Sequence, residues 1–311
     1  MNSVIEDRLA AIEQDKKRGA VQLAAEAIRV LMLASHEVSA PDTPQFLSKM
    51  KEIVLRISKC RPSMAPLTNW GLIFYERLLD SILPDFTPVE AANAAERIGL
   101  QLLEEQNAIL MKMVDVARSL LRSEKVILTL SYSSTVEAIL SQAAPLACQI
   151  IVAESRPLLE GRRLVLNLKE KGFSVRCITD AEVSYFVRDV SLVLLGADSI
   201  CNDLSAINKV GSLAAALAAQ EYKKPCTIAA DTLKIDPLHS SETIELEEKT
   251  GDEVWPEHPH LCINIYFEPI PRHLITSYIT EKGVFDADRM FLEVTRWKEL
   301  REKMMMGHIT G

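Results

Sequence analysis

The spacing of apolar residues changes character once, at Lys125, and nothing else limits the fold of this chain so closely. Before that point apolar side chains recur three and four residues apart and β-branched runs are scarce, which predicts helices. Beyond it, five-residue apolar runs alternate with helical stretches. The runs 126–130, 149–153, 174–178, 191–195 and 226–230 read as strands buried on both faces, and 135–143, 158–171, 181–188 and 207–221 read as helices between them. Repeated strand, helix, strand implies parallel pairing with right-handed crossovers. The fold expected is therefore α/β: an N-terminal helical domain over 1–124, then a doubly wound, mostly parallel Rossmann-like sheet over 125–311.

Local signals divide the helical half. Helices are expected over 6–15 and 20–34, broken at Gly19. Asp42, Thr43 and Pro44 combine a cap residue with a proline tolerated in a first turn, so a third helix should start there and run to about 59. The turn 61–66 separates it from a helix over 67–82, and a long helix should follow over 88–121. After Asp231 the pattern weakens into an acidic loop, a last strand over 274–279 and a C-terminal helix over 286–304.

Composition excludes several classes. The chain has 311 residues, 48% apolar and 25% charged, which no disordered tail, collagen or small disulfide scaffold would show. The net charge is -8, and seven carboxylates with one lysine fall between Glu242 and Glu257. No segment is built to neutralise a nucleic-acid backbone, so no direct nucleic-acid binding is expected. The longest apolar runs fall far short of the roughly 20 residues a bilayer span needs, so no membrane partner is expected either. Glu6 and Asp7 within the first ten residues do not fit a secretion signal. Six scattered cysteines without a CxxC pair read as reduced, mostly buried thiols, and the expected location is cytoplasmic.

Ligands of open α/β sheets bind beyond the carboxyl ends of the strands, where strand order reverses. The residues just past the expected strands are Ser131, Ser133 and Ser134; Glu154, Ser155 and Arg156; Asp180; Asp198; and Asp231 with Lys234. Hydroxyls and basic groups suit phosphate oxygens, and carboxylates suit sugar hydroxyls. Polar residues also end many strands simply as caps and turns. There is no GxGxxG, GxxxxGK[ST] or GxSxG, so no nucleotide cofactor and no hydrolase elbow is expected. Of six histidines, His258 and His260 alone lie close together, in a loop spacing that favours no metal face. No metal site is expected.

Taken together, these segments resemble the family that joins ribose-1,5-bisphosphate isomerase, methylthioribose-1-phosphate isomerase and the regulatory subunits of translation initiation factor 2B. The likeness rests on Arg18-Gly19-Ala20, Arg61-Pro62-Ser63, residues 128–134, Glu154-Ser155-Arg156-Pro157 with Gly161, Gly196-Ala197-Asp198-Ser199, Asn208-Lys209-Val210-Gly211 and Lys234. The Gly-Ala-Asp and Asn-Lys-x-Gly pair is its most specific part. The resemblance implies that Arg18, Gly19, Ala20, Arg61, Ser133, Ser134, Arg156, Asn208, Lys209 and Lys234 hold the phosphate and sugar oxygens of a phosphorylated pentose. Asn208 and Lys209 would reach back from the helix after the fourth strand. It also implies a homodimer or larger homo-oligomer, with the acidic loop and 261–270 as interface.

One departure divides the functional readings. The family isomerases carry a cysteine, preceded by histidine, where this chain has Leu130 and Ser131. A thiol near pKa 8.5 can be tuned to move protons, whereas a serine hydroxyl needs a neighbour to activate it. The first reading is a sugar-phosphate-binding isomerase of the ribose-1,5-bisphosphate type, an intramolecular oxidoreductase converting aldose to ketose, with Asp198 and Ser131 catalytic. Cys201, three residues beyond Asp198, is a further candidate thiol. The alternative is a non-catalytic regulatory or sugar-phosphate or nucleotide sensing subunit acting through protein partners. Asp198 favours the first and Ser131 the second.

Overall fold

The computed structural model describes residues 3–15, 18–121 and 125–306, with side chains of the final helix described through Glu302. The described residues divide into two compact units: those up to Ile109 together with Glu302–Met306, and those from Leu110 to Arg301. The sequence-based boundary at 124 falls on residues outside those described.

The first unit is helical. Its helices are α1 (Ser3–Glu13), α2 (Ala20–Glu37), α3 (Thr43–Cys60), α4 (Ala65–Ser81) and the larger part of α5 (Pro88–Arg118). As expected, Asp42 caps α3: its carboxylate accepts a bond from the Gln45 amide at 2.9 Å, a device worth about 1 kcal/mol. Thr87 and Glu90 cap α5 reciprocally, the side chain of each accepting from the other's backbone amide. Leu23, Ile28 and Leu31 of α2, Phe46, Met50 and Ile57 of α3, and Phe74 and Leu78 of α4 repeat at helical spacing and are buried.

The second unit is built on a seven-stranded sheet. In chain order its strands are β1 (Val126–Leu130), β2 (Gln149–Ala153), β3 (Ser174–Ile178), β4 (Leu192–Gly196), β7 (Cys226–Ala229), β11 (Ser277–Thr280) and β12 (Gly283–Phe285). They lie in the order β12-β11-β7-β4-β1-β2-β3, all parallel except for the antiparallel β11–β12 hairpin. Winding therefore reverses at β1, between β2 on one side and β4 on the other. Helices α6 (Ser134–Ala143) and α7 (Glu160–Glu170) pack together, as do α8 (Val183–Val187) and α9 (Ser212–Glu221). Ile127, Ile139, Ile150, Leu164, Leu194 and Ile279 belong to the shared core. Among the described residues the last helix is α10 (Ala287–Met306).

Three expectations need correction. The stretch 207–221 is not one helix. Residues Ala206–Lys209 form β6, which pairs antiparallel with β5 (Ser199–Ile200) and β10 (Phe267–Ile270), and Gly211 then turns the chain into α9 at φ 103°. Strand β3 is not buried on both faces: it edges the sheet, and Ser174, Arg176 and Cys177 are exposed. The weakly patterned stretch after Asp231 carries a second small pairing, β8 (Glu248–Lys249) with β9 (Asn264–Ile265); the strand expected over 274–279 is β11, which starts at Ser277, and β12 follows it where no strand is expected. Among the described residues no helix is long and apolar enough to cross a membrane.

Candidate functional site

The reversal point at β1 and β4 brings together most of the expected site residues of the α/β unit. At the end of β1 the chain enters the left-handed region at Ser131 (φ 60°), whose amide donates to the Ala153 carbonyl at 3.3 Å. Ser133 then caps α6, its Oγ accepting from the Val136 amide at 3.3 Å, and Ser134 is the first helical residue. A helix N-terminus beside a strand end presents amide hydrogens and the positive end of the peptide dipoles, a setting that favours phosphate. Between the serines, Tyr132 is anchored under the Arg163 guanidinium, 4.0 Å from its ring centre. Burial, and then its hydrogen bond with Glu137, push its hydroxyl up to about 12.

Gly196 ends β4 directly beside this loop. A Cβ on Gly196 would lie 2.8 Å from Ser133 Oγ and 3.8 Å from Asn208 Oδ1, so only a bare backbone lets these groups meet. Asp198 follows, its amide donating to the Ile207 carbonyl at 2.8 Å, which ties the end of β4 to β6. Buried Lys234 donates from Nζ to the Ala197 carbonyl at 2.6 Å, fixing the residue before Asp198. Behind it, burial raises the Asp231 carboxyl above the ordinary range; nearby Lys234 opposes the rise and Glu281 adds to it. Asn208 and Lys209 reach this place from β6 rather than from a helix. Asn208 Nδ2 donates to Ser212 Oγ at 2.8 Å, and Lys209 Nζ pairs with Glu160 Oε1 at 3.0 Å while lying 4.1 Å above the Tyr266 ring centre.

The end of β2 is braced rather than open. Asp180 accepts from the amides of Ser155 and Arg156 at 2.8 and 2.7 Å, so this carboxylate is committed to holding the loop. The Arg156 guanidinium donates to the Val254 carbonyl at 2.9 Å and is exposed, and its bond to Pro157 is cis. Gly161 is required sterically, since a Cβ there would lie 2.1 Å from the Ala153 carbonyl oxygen. The N-terminus of α9 is already occupied: Glu268 Oε1 accepts from the Gly211 and Leu213 amides at 2.7 and 2.8 Å. Cys201 is no acid–base group, because complete burial raises its thiol far above neutral pH, with Asp203 and Asp236 adding to the shift.

The remaining expected residues belong to the helical unit, where they gather at Asp15. Arg18 donates from its amide and Nε to the Asp15 carboxylate at 2.6 and 2.9 Å, and the buried Arg61 donates to the Asp15 carbonyl at 3.0 Å. Gly19 and Ala20 open α2 beside them. A Cβ on Gly19 would meet nothing within 4 Å, so no crowding within this unit explains the glycine. Glu160 and Tyr266 were not singled out in the sequence: an acidic residue in a first helical turn is a common dipole partner, and a tyrosine next to β10 carries no motif.

The sequence pattern of the Initiation factor 2 subunit family matches residues 16–287. The chain belongs to that family. Among relatives, methylthioribose-1-phosphate isomerase of Bacillus pumilus is 28% identical over 91% of this chain and 85% of its own length. Ribose 1,5-bisphosphate isomerase of Archaeoglobus fulgidus is 36% identical, over 47% of this chain and 49% of that protein. Among solved structures, the translation initiation factor eIF-2B of Pyrococcus horikoshii OT3 superposes with a TM-score of 0.79 at 25% identity, covering 94% of this chain and all of that one. The family thus contains both isomerases and initiation-factor proteins, and the resemblance read from the strand-end segments agrees with it.

Proposed function

We propose that this family member binds a phosphorylated pentose across the ends of β1 and β4, with Asp198 as its acid–base group. The observation that carries the reading is the meeting of Ser133 Oγ, Asn208 Oδ1 and the bare backbone of Gly196 where the sheet reverses its winding. Ser133 and Ser134 at the start of α6 receive the phosphate. Asn208 takes a sugar hydroxyl, and Lys234 holds the Ala197 carbonyl and with it the approach of Asp198. Aldose-to-ketose conversion removes a proton from the second carbon of the opened sugar and delivers one to the first. A carboxylate can make the first transfer and its conjugate acid the second. Arg156 is the remaining proposed ligand contact of this unit; within the helical unit, Arg18, Gly19, Ala20 and Arg61 are proposed as phosphate contacts on the family resemblance.

A second reading has its own support: Leu130 and Ser131 supply no thiol at the end of β1, which favours a non-catalytic sensing or regulatory subunit. Incubation with ribose 1,5-bisphosphate or methylthioribose 1-phosphate, followed by NMR, separates the two. Ketose formation that disappears in Asp198→Asn supports the isomerase. Ligand-induced thermal stabilisation without ketose supports the sensor, and absence of both defeats the pentose-phosphate site. The chain is further proposed to be cytoplasmic and to form a homodimer or larger assembly through the exposed side chains of Leu261, Ile263 and Ile265. A monomer in light scattering at micromolar concentration refutes that assembly.

A further inference from the structure

The loop after β2 crosses the reversal point. Strand β1 lies between β2 and β4, with neighbours about 4.8 Å apart, and Glu160 at the start of α7 reaches from the β2 side to Lys209 on β6, which is tied to the end of β4 through Asp198. The Glu160–Lys209 pair therefore spans the end of β1. It is also incomplete. Glu160 Oε2 is buried without a hydrogen-bond partner, and so is the hydroxyl of Ser155, a residue 1% exposed in the same loop. Buried acceptors and hydroxyls of this kind are ordinarily satisfied, so this roof is equipped for a group that donates hydrogen bonds.

Charge points the same way. Two cations at these strand ends face carboxylates: Lys209 faces Glu160 at 3.0 Å, and Arg162 pairs with Glu154 at 2.7 Å. A phosphate brought to Lys209 would meet the Glu160 carboxylate as well as the ammonium, in a partly buried setting where like charges repel strongly. A sugar hydroxyl there could instead donate to the Glu160 carboxylate, whose side chain is 23% exposed.

We infer that Glu160 sets the specificity of this site: it neutralises Lys209, accepts a hydroxyl of the ligand and excludes a second phosphate, so the ligand is a singly phosphorylated pentose. The inference rests on the pentose-phosphate reading above and narrows it. Isothermal titration of the full chain with ribose 1-phosphate and ribose 1,5-bisphosphate tests it. The unaltered protein should bind the monophosphate at least about tenfold more tightly. Glu160→Gln, checked by circular dichroism for folding, should shrink that preference to within about threefold by tightening the bisphosphate. Equal or tighter binding of the bisphosphate to the unaltered protein overturns the role of Glu160 and needs no variant. A preference unmoved in folded Glu160→Gln overturns it as well. Binding of neither compound is a different failure, since it removes the pentose-phosphate site itself.

Discussion

The two strand ends that flank the reversal point solve different problems. The end of β1 is a run of hydroxyls, Ser131, Tyr132, Ser133 and Ser134, on a loop shaped by one left-handed residue and a helix cap. With the tyrosine held near 12, this run carries no group that ionises near neutral pH. The end of β4 is the reverse: Asp198 follows a carbonyl clamped by buried Lys234, with Asp231 behind it. One end is furnished to hold oxygens and the other to hold charge. Proton transfer, if the pocket performs it, has to be driven from the β4 side.

That contrast can be broken most severely by removing the buried cation. Lys234→Ala removes the bond to the Ala197 carbonyl and the nearby charge that opposes the burial of Asp231, and should destabilise the fold by about 2–3 kcal/mol. Adding Asp231→Asn should recover a large part of the loss. Urea denaturation of the single and double variants measures both, and additive losses would mean the two groups do not act as a pair. A smaller effect is expected where the two ends touch. Gly196→Ala drives a methyl into Ser133 and should cost about 1–3 kcal/mol together with phosphate-ligand binding. Unchanged stability and binding would show that the strand ends stand further apart than described.

The same contrast explains what could be read in advance. The bounds read from the sequence for β1, β2 and β3 match the structure because each is a short β-rich run flanked by turns, signals contained within about ten residues. Strand β6 reads from the sequence as the first turn of a helix. Its partner β10 lies some sixty residues further along, and the left-handed turn at Gly211 hides the break from a periodicity argument. The site followed suit. Ser131, Ser133 and Asp198 were legible as strand-end residues, while Glu160 shows its importance only through Lys209, a contact between segments 49 residues apart. Local pattern locates the reversal point, and long-range pairing decides which charges meet there.

The comparison is sharpened by giving the β1 end a group that can titrate. Ser131→Cys introduces a thiol whose ordinary pKa is about 8.5. Ketose formation from ribose 1-phosphate, followed by NMR, should rise at least about tenfold, equivalent to about 1.4 kcal/mol of barrier. The gain should grow from pH 7 towards pH 8.5 as the thiolate fraction rises. An equal rate in both proteins would mean that the hydroxyl at the end of β1 does not limit the chemistry and that the β4 side works alone.

The gentlest probe is pH, read on a variant that keeps the shape of the side chain and removes its charge. Burial holds the Asp231 carboxyl above its unfolded value of about 3.9, so the native chain binds more protons at this site than the unfolded chain does. The stability this contributes is complete below the unfolded pKa and is lost as pH rises through the folded one. Asn at this position keeps an oxygen able to accept from the Leu233 amide but cannot ionise. The stability difference between Asp231→Asn and the parent should therefore move in the variant's favour as pH is raised above about 4. Urea midpoints at pH 5 and pH 7.5 read it. If the difference is flat, Lys234 offsets the burial fully and the β4 end is as insensitive to pH as the hydroxyl run facing it. If it moves the other way, the lysine outweighs burial and Asp231 sits in a net attractive field.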